Sequence, residues 1–211
     1  MKSSFLIASF ASLIAAQNKG SARYDTNSGY RKCSFPDGTY TDQVFVGPLY
    51  YNGAQSCGAC LSITNTANNQ TVIANVVDQC VGCGQFDLVM SLNTFQKIAD
   101  PAAGVVNVSW NQIRCPNVQG NIKYSWQSGS NQWWAAVQIQ NYVSAVRSLE
   151  YKSATKDWTP VMRRDDNFFI LSSAGPGPYK FRLTSYDNKV VEDPNVVPLE
   201  NGGIQTSPVQ F

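Results

Sequence analysis

The chain has 211 residues, 14% charged and 12% aromatic, with 16 Lys and Arg against 14 Asp and Glu and no histidine. So sparse and balanced a charge gives no electrostatic footprint for nucleic acid or an anionic membrane. Without histidine, Ser-His and Cys-His nucleophiles and His-based zinc hydrolases are excluded, so any hydrolysis must rest on carboxylates.

The chain opens with Lys2, an apolar run from Phe5 to Ile14, and Ala15-Ala16 before Gln17. This reads as a secretory signal peptide over residues 1–16, too short to span a bilayer. The mature protein is therefore expected to be soluble, extracellular and monomeric. Residues 17 to about 32 are rich in Gly, Ser, Asn and Tyr and read as a loose arm leading to a first strand.

All six cysteines, Cys33, Cys57, Cys60, Cys80, Cys83 and Cys115, fall in the first half of the chain. Cys57 to Cys60 and Cys80 to Cys83 form two Cys-x-x-Cys pairs, spaced as in a zinc ribbon. Export and an even count favour three disulfides over a metal, with the pairing open. No metal or cofactor is expected. A redox motif would want a βαβ pattern, and none surrounds these pairs.

Along the first domain, placed at residues 17–118, Leu61 to Thr64 alternates as a half-buried strand does. Thr71 to Val77 is a β-branched strand, and Asp78 stands at its end. Ser91 or Asn93 is the expected cap of a short helix holding Phe95 and Ile98. Val106, Val108 and Trp110 then share one strand face. Asn69 and Asn107 begin N-x-S/T triplets, candidate glycosylation sites in an exported eukaryotic protein. "CPNVQG" reads as a linker to a cysteine-free second domain over residues 121–211. There "WAAVQIQ" alternates, with Ala135, Val137 and Ile139 on one face and Gln138 and Gln140 on the other. The further short strands, separated by turns such as "AGPGP", argue for a β-sandwich. Lightly charged and aromatic-rich, the whole suits a neutral partner such as polysaccharide.

In order, "CSFP", "YYNGAQSCGACLSI", "VVDQCVGC", "SLNTFQKIA…G…VSWNQIRC" and "GNIKYSWQSGSNQWWAAVQIQN" resemble the expansins and microbial expansin-like proteins. The resemblance covers most of the mature chain. It implies an all-β protein: an N-terminal six-stranded double-psi β-barrel with short helices, then a C-terminal immunoglobulin-like β-sandwich. It also implies a secreted protein that binds cellulose and matrix polysaccharide and loosens their contacts without cutting them.

Carried over position by position, the family's groove is altered here. Asp78 matches a family aspartate and reads as an acceptor for a sugar hydroxyl or as an acid–base group, with a rim Asp bonded to loop amides as the alternative. The second family acid falls on Val89. Asp87, two residues earlier, is read as its substitute or as a loop acid. The family's "G-x-A-T-Y" appears as "GSARY", with Arg23 where Thr is usual and Tyr24 in place, and Arg23 is a candidate partner for Asp78 or Asp87. Trp133 and Trp134 match two rings of the family's cellulose-binding row. Alternation sends Trp134 outward with Gln138 and Trp133 inward with Val137, unless the chain bulges there. The third ring falls on Asp166, with Phe168 as a possible replacement and Phe169 pointing inward. Trp126 and Trp158 read as core or hinge residues. The competing functions are a hydrolase like the family 45 endoglucanases and a carbohydrate-binding or defence protein like barwin.

Overall fold

The computed structural model describes residues 17–27, 29, 31–198 and 200–211; the expected signal peptide lies outside them. The first half contains β1 (Asn18–Asp25), β2 (Gln43–Val46), α1 (Pro48–Tyr51), β3 (Cys60–Asn65), β4 (Thr71–Gln79), β5 (Leu88–Ser91), α2 (Leu92–Phe95) and β6 (Val105–Ile113). Its strands close into a six-stranded barrel in the order β1-β5-β2-β4-β3-β6. β1 runs parallel to β5 and β2 parallel to β4; the other pairings are antiparallel. Alternation fills the interior: Ala22, Val44, Val46, Leu61, Ile63, Leu88, Met90, Val108 and Trp110 are buried in one cluster. Ser91 is the N-cap residue of α2, though its side chain makes no capping bond; the helix ends at Phe95, so the expected Ile98 falls in the turn after it, and both side chains are fully buried.

Between Val44 and Phe45 the β2/β4 register slips, so that Val44 faces Val76 and Phe45 faces Asp78. The extra residue, Val77, is a bulge of the kind that re-aims side chains. Val76 enters the core, whereas Val77 joins Phe45 and Val89 in a separate small cluster.

All six cysteines pair, as Cys33–Cys57, Cys60–Cys115 and Cys80–Cys83, which leaves no thiolate for a ribbon-type zinc. The chain-entropy model gives about 3.5 and about 4 kcal/mol for the first two bridges and about 2 kcal/mol for the last. Their sequence separations are 24, 55 and 3 residues.

The second half contains β7 (Lys123–Trp126), β8 (Trp134–Gln140), β9 (Val146–Lys152), β10 (Thr159–Arg163), β11 (Phe169–Ser172), β12 (Tyr179–Ser185), β13 (Val190–Val196) and β14 (Gly203–Thr206). The strands follow the order β13-β12-β9-β10-β11-β8-β7-β14. β10 passes between the two layers of a sandwich: Thr159 to Val161 pair with β9, and Met162 and Arg163 with β11. Aromatic rings fill the space between the layers, with Tyr124 of β7 edge-on to Phe181 of β12 at 5.3 Å. Trp126 is buried beside Phe181, as expected. Trp158 is instead half-buried at the surface, with the Arg182 guanidinium 3.8 Å over its ring.

The Gln138 and Gln140 face of β8 is not turned to solvent. Both side chains are buried, because the barrel docks on them. Gln138 Nε2 and Asn167 Nδ2 donate to the Cys33 carbonyl at 2.9 and 3.1 Å, and Tyr142 Oη donates to the Cys57 carbonyl at 2.6 Å. In return Tyr51 Oη donates to the Asp165 carbonyl at 2.7 Å. The Cys33–Cys57 bridge thus presents both its carbonyls to the second domain. Among the described residues no helix is long and apolar enough to cross a membrane.

Candidate functional site

Strand register lays four positions in a row across the outside of the barrel. Arg23 pairs with Val89, Val89 with Phe45, and Phe45 with Asp78. With strands about 4.8 Å apart, Arg23 and Asp78 are separated by about 14 Å of sheet. That separation explains why Arg23 does not pair with Asp78; toward Asp87, the other candidate partner, its charge contributes only the weakest of the effects that lower that carboxyl. The Arg23 guanidinium rests on the Cys80–Cys83 bridge, with Nη2 3.6 and 3.8 Å from the two sulfurs.

Asp78 is engaged by other groups. Its Oδ1 accepts from the backbone N–H of Lys32 at 3.0 Å and of Gln79 at 2.8 Å. Its Oδ2 lies 3.8 Å from Arg31 Nη1, which is also 3.8 Å from Asp25 Oδ2. The Arg31 guanidinium stands 4.2 Å over the Phe45 ring. Beside this bridge opens a groove of about 610 Å³, lined by Asp25, Arg31, Tyr40, Gln43, Ser91 and Asn93 among others. Asp78 is not part of that lining; it holds Arg31, which is.

Val89 puts an apolar side chain where the family has an acid. It is buried with Phe45 and Val77 under Phe35, Tyr40, Cys80 and Cys83. Asp87 does not take its place. It sits before β5, and its Oδ1 accepts from the Ser21 N–H at 2.7 Å and the Ser21 hydroxyl at 2.9 Å, tying the turn to β1. Tyr24 leans on the Phe95 ring at 5.2 Å and packs against the core, outside the groove lining.

The Ser21 donors hold the Asp87 carboxyl below the ordinary aspartate value, the backbone N–H contributing most. A native pKa below the unfolded one adds stability that is full above about pH 3.9 and is lost as pH falls through the native value. Asp87→Asn is therefore expected to lower the thermal midpoint near neutral pH, by a margin that shrinks as the pH falls below the ordinary aspartate value. Melting curves across that range check this; a deficit that persists undiminished in acid contradicts it.

In the second domain the two adjacent tryptophans differ. Trp133 is 70% exposed, whereas Trp134, the first residue of β8, is half-buried. Strict alternation would have sent Trp133 into the core beside Val137; the chain instead bends at Gln132-Trp133, the exception that lets the ring face out. Alternation begins only with the strand, and Trp133 sits in the bend before it. Asn131 Oδ1 accepts the N–H of Trp133 at 2.8 Å and of Trp134 at 3.2 Å, and the Ser173 N–H donates to the Trp133 carbonyl at 2.7 Å. The backbone is pinned while the indole stands in solvent.

Phe168 is half-buried just before β11, and Phe169 points inward as expected. The Arg164 guanidinium lies 5.8 Å over the Phe168 ring and is ion-paired with Asp166, so that a charged pair occupies the place of a third ring. Asn69 and Asn107 both present exposed side chains, the access that glycosylation requires.

Trp134 and Gln138 share one face of β8, four residues or about 14 Å apart. Gln138 contacts Cys33, two residues from Arg31. Through this buried contact β8 is fixed against the segment that carries Arg31. Sequence reasoning missed Arg31, Asp25 and Phe45. "RKC" and "QVFV" carry no motif, and only the bulged β2/β4 register brings them to Asp78.

A six-stranded barrel with a polar groove, docked on a β-sandwich that exposes a tryptophan, defines a two-domain protein of the barwin-barrel and expansin-sandwich class. Residues 13–115 match the Barwin family and residues 122–198 the expansin C-terminal domain. The chain is 31% identical to Expansin-YoaJ of Bacillus subtilis over 83% of its own length and 77% of that protein's. It is 27% identical to Expansin-like protein 1 of Dictyostelium discoideum over 78% of its own length and 60% of that protein's. The crystal structure of the Clavibacter michiganensis expansin superposes with a TM-score of 0.80 at 25% identity, covering 92% of this chain and 98% of that one. A mutant of that expansin has been solved in complex with cellohexaose, at the same similarity. The chain belongs to the expansin family.

Proposed function

We propose that this is a secreted expansin that binds cellulose and loosens non-covalent polysaccharide contacts without hydrolysis. The observation that carries this reading is the bare Trp133 indole, 70% exposed in the bend before β8. A neutral glucan ring stacks on such an indole, while the groove offers hydroxyl partners in Asp25, Arg31, Ser91 and Asn93. The complex of a related expansin with cellohexaose supports a β-glucan as the ligand.

The same groove argues against hydrolysis. Inverting glycosidases hold two carboxyls about 6.5–9.5 Å apart around a water. Here Asp25 and Asp78 meet on one Arg31 nitrogen, so a guanidinium fills the space that water needs. The second family acid is Val89, sealed among apolar side chains. Microcrystalline cellulose is expected to deplete the protein from solution while no reducing sugar appears from soluble or insoluble β-glucan. Sugar release that is lost on Asp78→Asn would establish a hydrolase instead.

A further inference from the structure

We propose that Cys80–Cys83 is a thiol–disulfide exchange site, open to low-molecular-weight thiols while the other two bridges are not. Three observations converge on it. Cys33 and Cys57 are fully buried, and Cys60 and Cys115 are 3% and 6% exposed. Cys80 and Cys83 are each partly exposed, on a turn whose tip residue Val81 is 80% exposed. The bridge closes a separation of only 3 residues, so it restrains the unfolded chain least of the three. Arg23 places Nη2 3.6 and 3.8 Å from the two sulfurs, so whichever sulfur leaves does so beside a positive charge.

The chemistry is closed. A reductant thiolate attacks one sulfur, the S–S bond breaks, and the other sulfur departs as a thiolate next to Arg23. A second reductant thiol, as its thiolate, attacks the mixed disulfide. The external thiols leave as their own disulfide, oxidised by two electrons, and their two protons end on Cys80 and Cys83. The loop ends are held independently of the bridge: the Cys80 N–H donates to the Val46 carbonyl at 2.8 Å, and Gly84 packs against Gly47 so closely that a Cβ on Gly47 would lie 2.5 Å from the Gly84 oxygen. Reduction thus releases the tip without unfolding the barrel. It also loosens the sulfur cover over Phe45, Val77 and Val89, the apolar floor next to the groove.

The test is native protein with graded 2-mercaptoethanol, quenched with iodoacetamide and read by peptide mass spectrometry. Cysteamine run alongside, whose attacking thiolate is balanced by its own ammonium, separates stabilisation of the leaving sulfur from attraction of an anionic reductant. Cys80 and Cys83 are expected to be labelled together, at least tenfold faster than the other four cysteines. Arg23→Gln should slow that labelling several-fold, and Arg23→Lys should restore most of it. Equal labelling of all six cysteines, or none short of unfolding, would overturn the proposal. A rate unchanged in Arg23→Gln would overturn the part assigned to the arginine.

Discussion

Trp133→Ala is expected to weaken binding to crystalline cellulose by about 5- to 150-fold, the range set by stacking worth about 1–3 kcal/mol per ring. That estimate is borrowed from aromatic stacking on nucleobases, whose faces resemble a pyranose in area. The variant should fold normally, because the indole is 70% exposed and its backbone bonds involve only its N–H and carbonyl. Trp134→Ala should cost less binding and more stability, since its half-buried ring is partly spent on the sheet surface. Depletion isotherms on microcrystalline cellulose, with thermal midpoints alongside, separate the two. Unchanged binding in Trp133→Ala would remove this indole from the binding face.

Gly58→Ala carries the largest expected effect on stability. Gly58 has φ +72°, and a Cβ there would lie 2.1 Å from Tyr142 Oη and 2.8 Å from its Cζ. The left-handed backbone costs an alanine about 1–2 kcal/mol. Displacing Tyr142 also breaks its bond to the Cys57 carbonyl, worth about 1 kcal/mol more. Together these make about 2–3 kcal/mol, or a midpoint lower by about 4–12 °C in a chain of this size. Tyr142 belongs to the second domain and Gly58 to the barrel, so the loss reports on docking. In a Tyr142→Ala background the clash is gone, and Gly58→Ala should then cost only its backbone strain. Additive losses in the double variant would contradict the contact.

Much of this fold is legible in the sequence because its strands obey period two. Val108 and Trp110 enter the barrel core, and Ala135, Val137 and Ile139 enter the sandwich core, where alternation places them. That the six cysteines pair was legible in their even count. Alternation gives the wrong side for Trp133 because it extrapolates a strand one residue past its start, into a bend that Asn131 closes. Nor does it distinguish solvent from a second domain: Gln138 and Gln140 read as an exposed polar face, yet both are buried, Gln138 donating to the Cys33 carbonyl about a hundred residues away and Gln140 to Gln138 Oε1. The groove was the least legible part. Asp25, Arg31 and Asp78 come together only through strand register and a bulge, and register is a property of pairs of segments that no local pattern reports. Absence of an acid at Val89 was visible in the sequence; its burial under a disulfide was not.

Constant-load extension of a heat-inactivated, cellulose-rich wall strip tests the central claim most directly. Added protein should make the strip creep while no soluble or reducing sugar appears in the bath, and Trp133→Ala should reduce that creep along with binding. Binding without any creep, or creep that proceeds only as sugar is released, would contradict a non-hydrolytic loosening role.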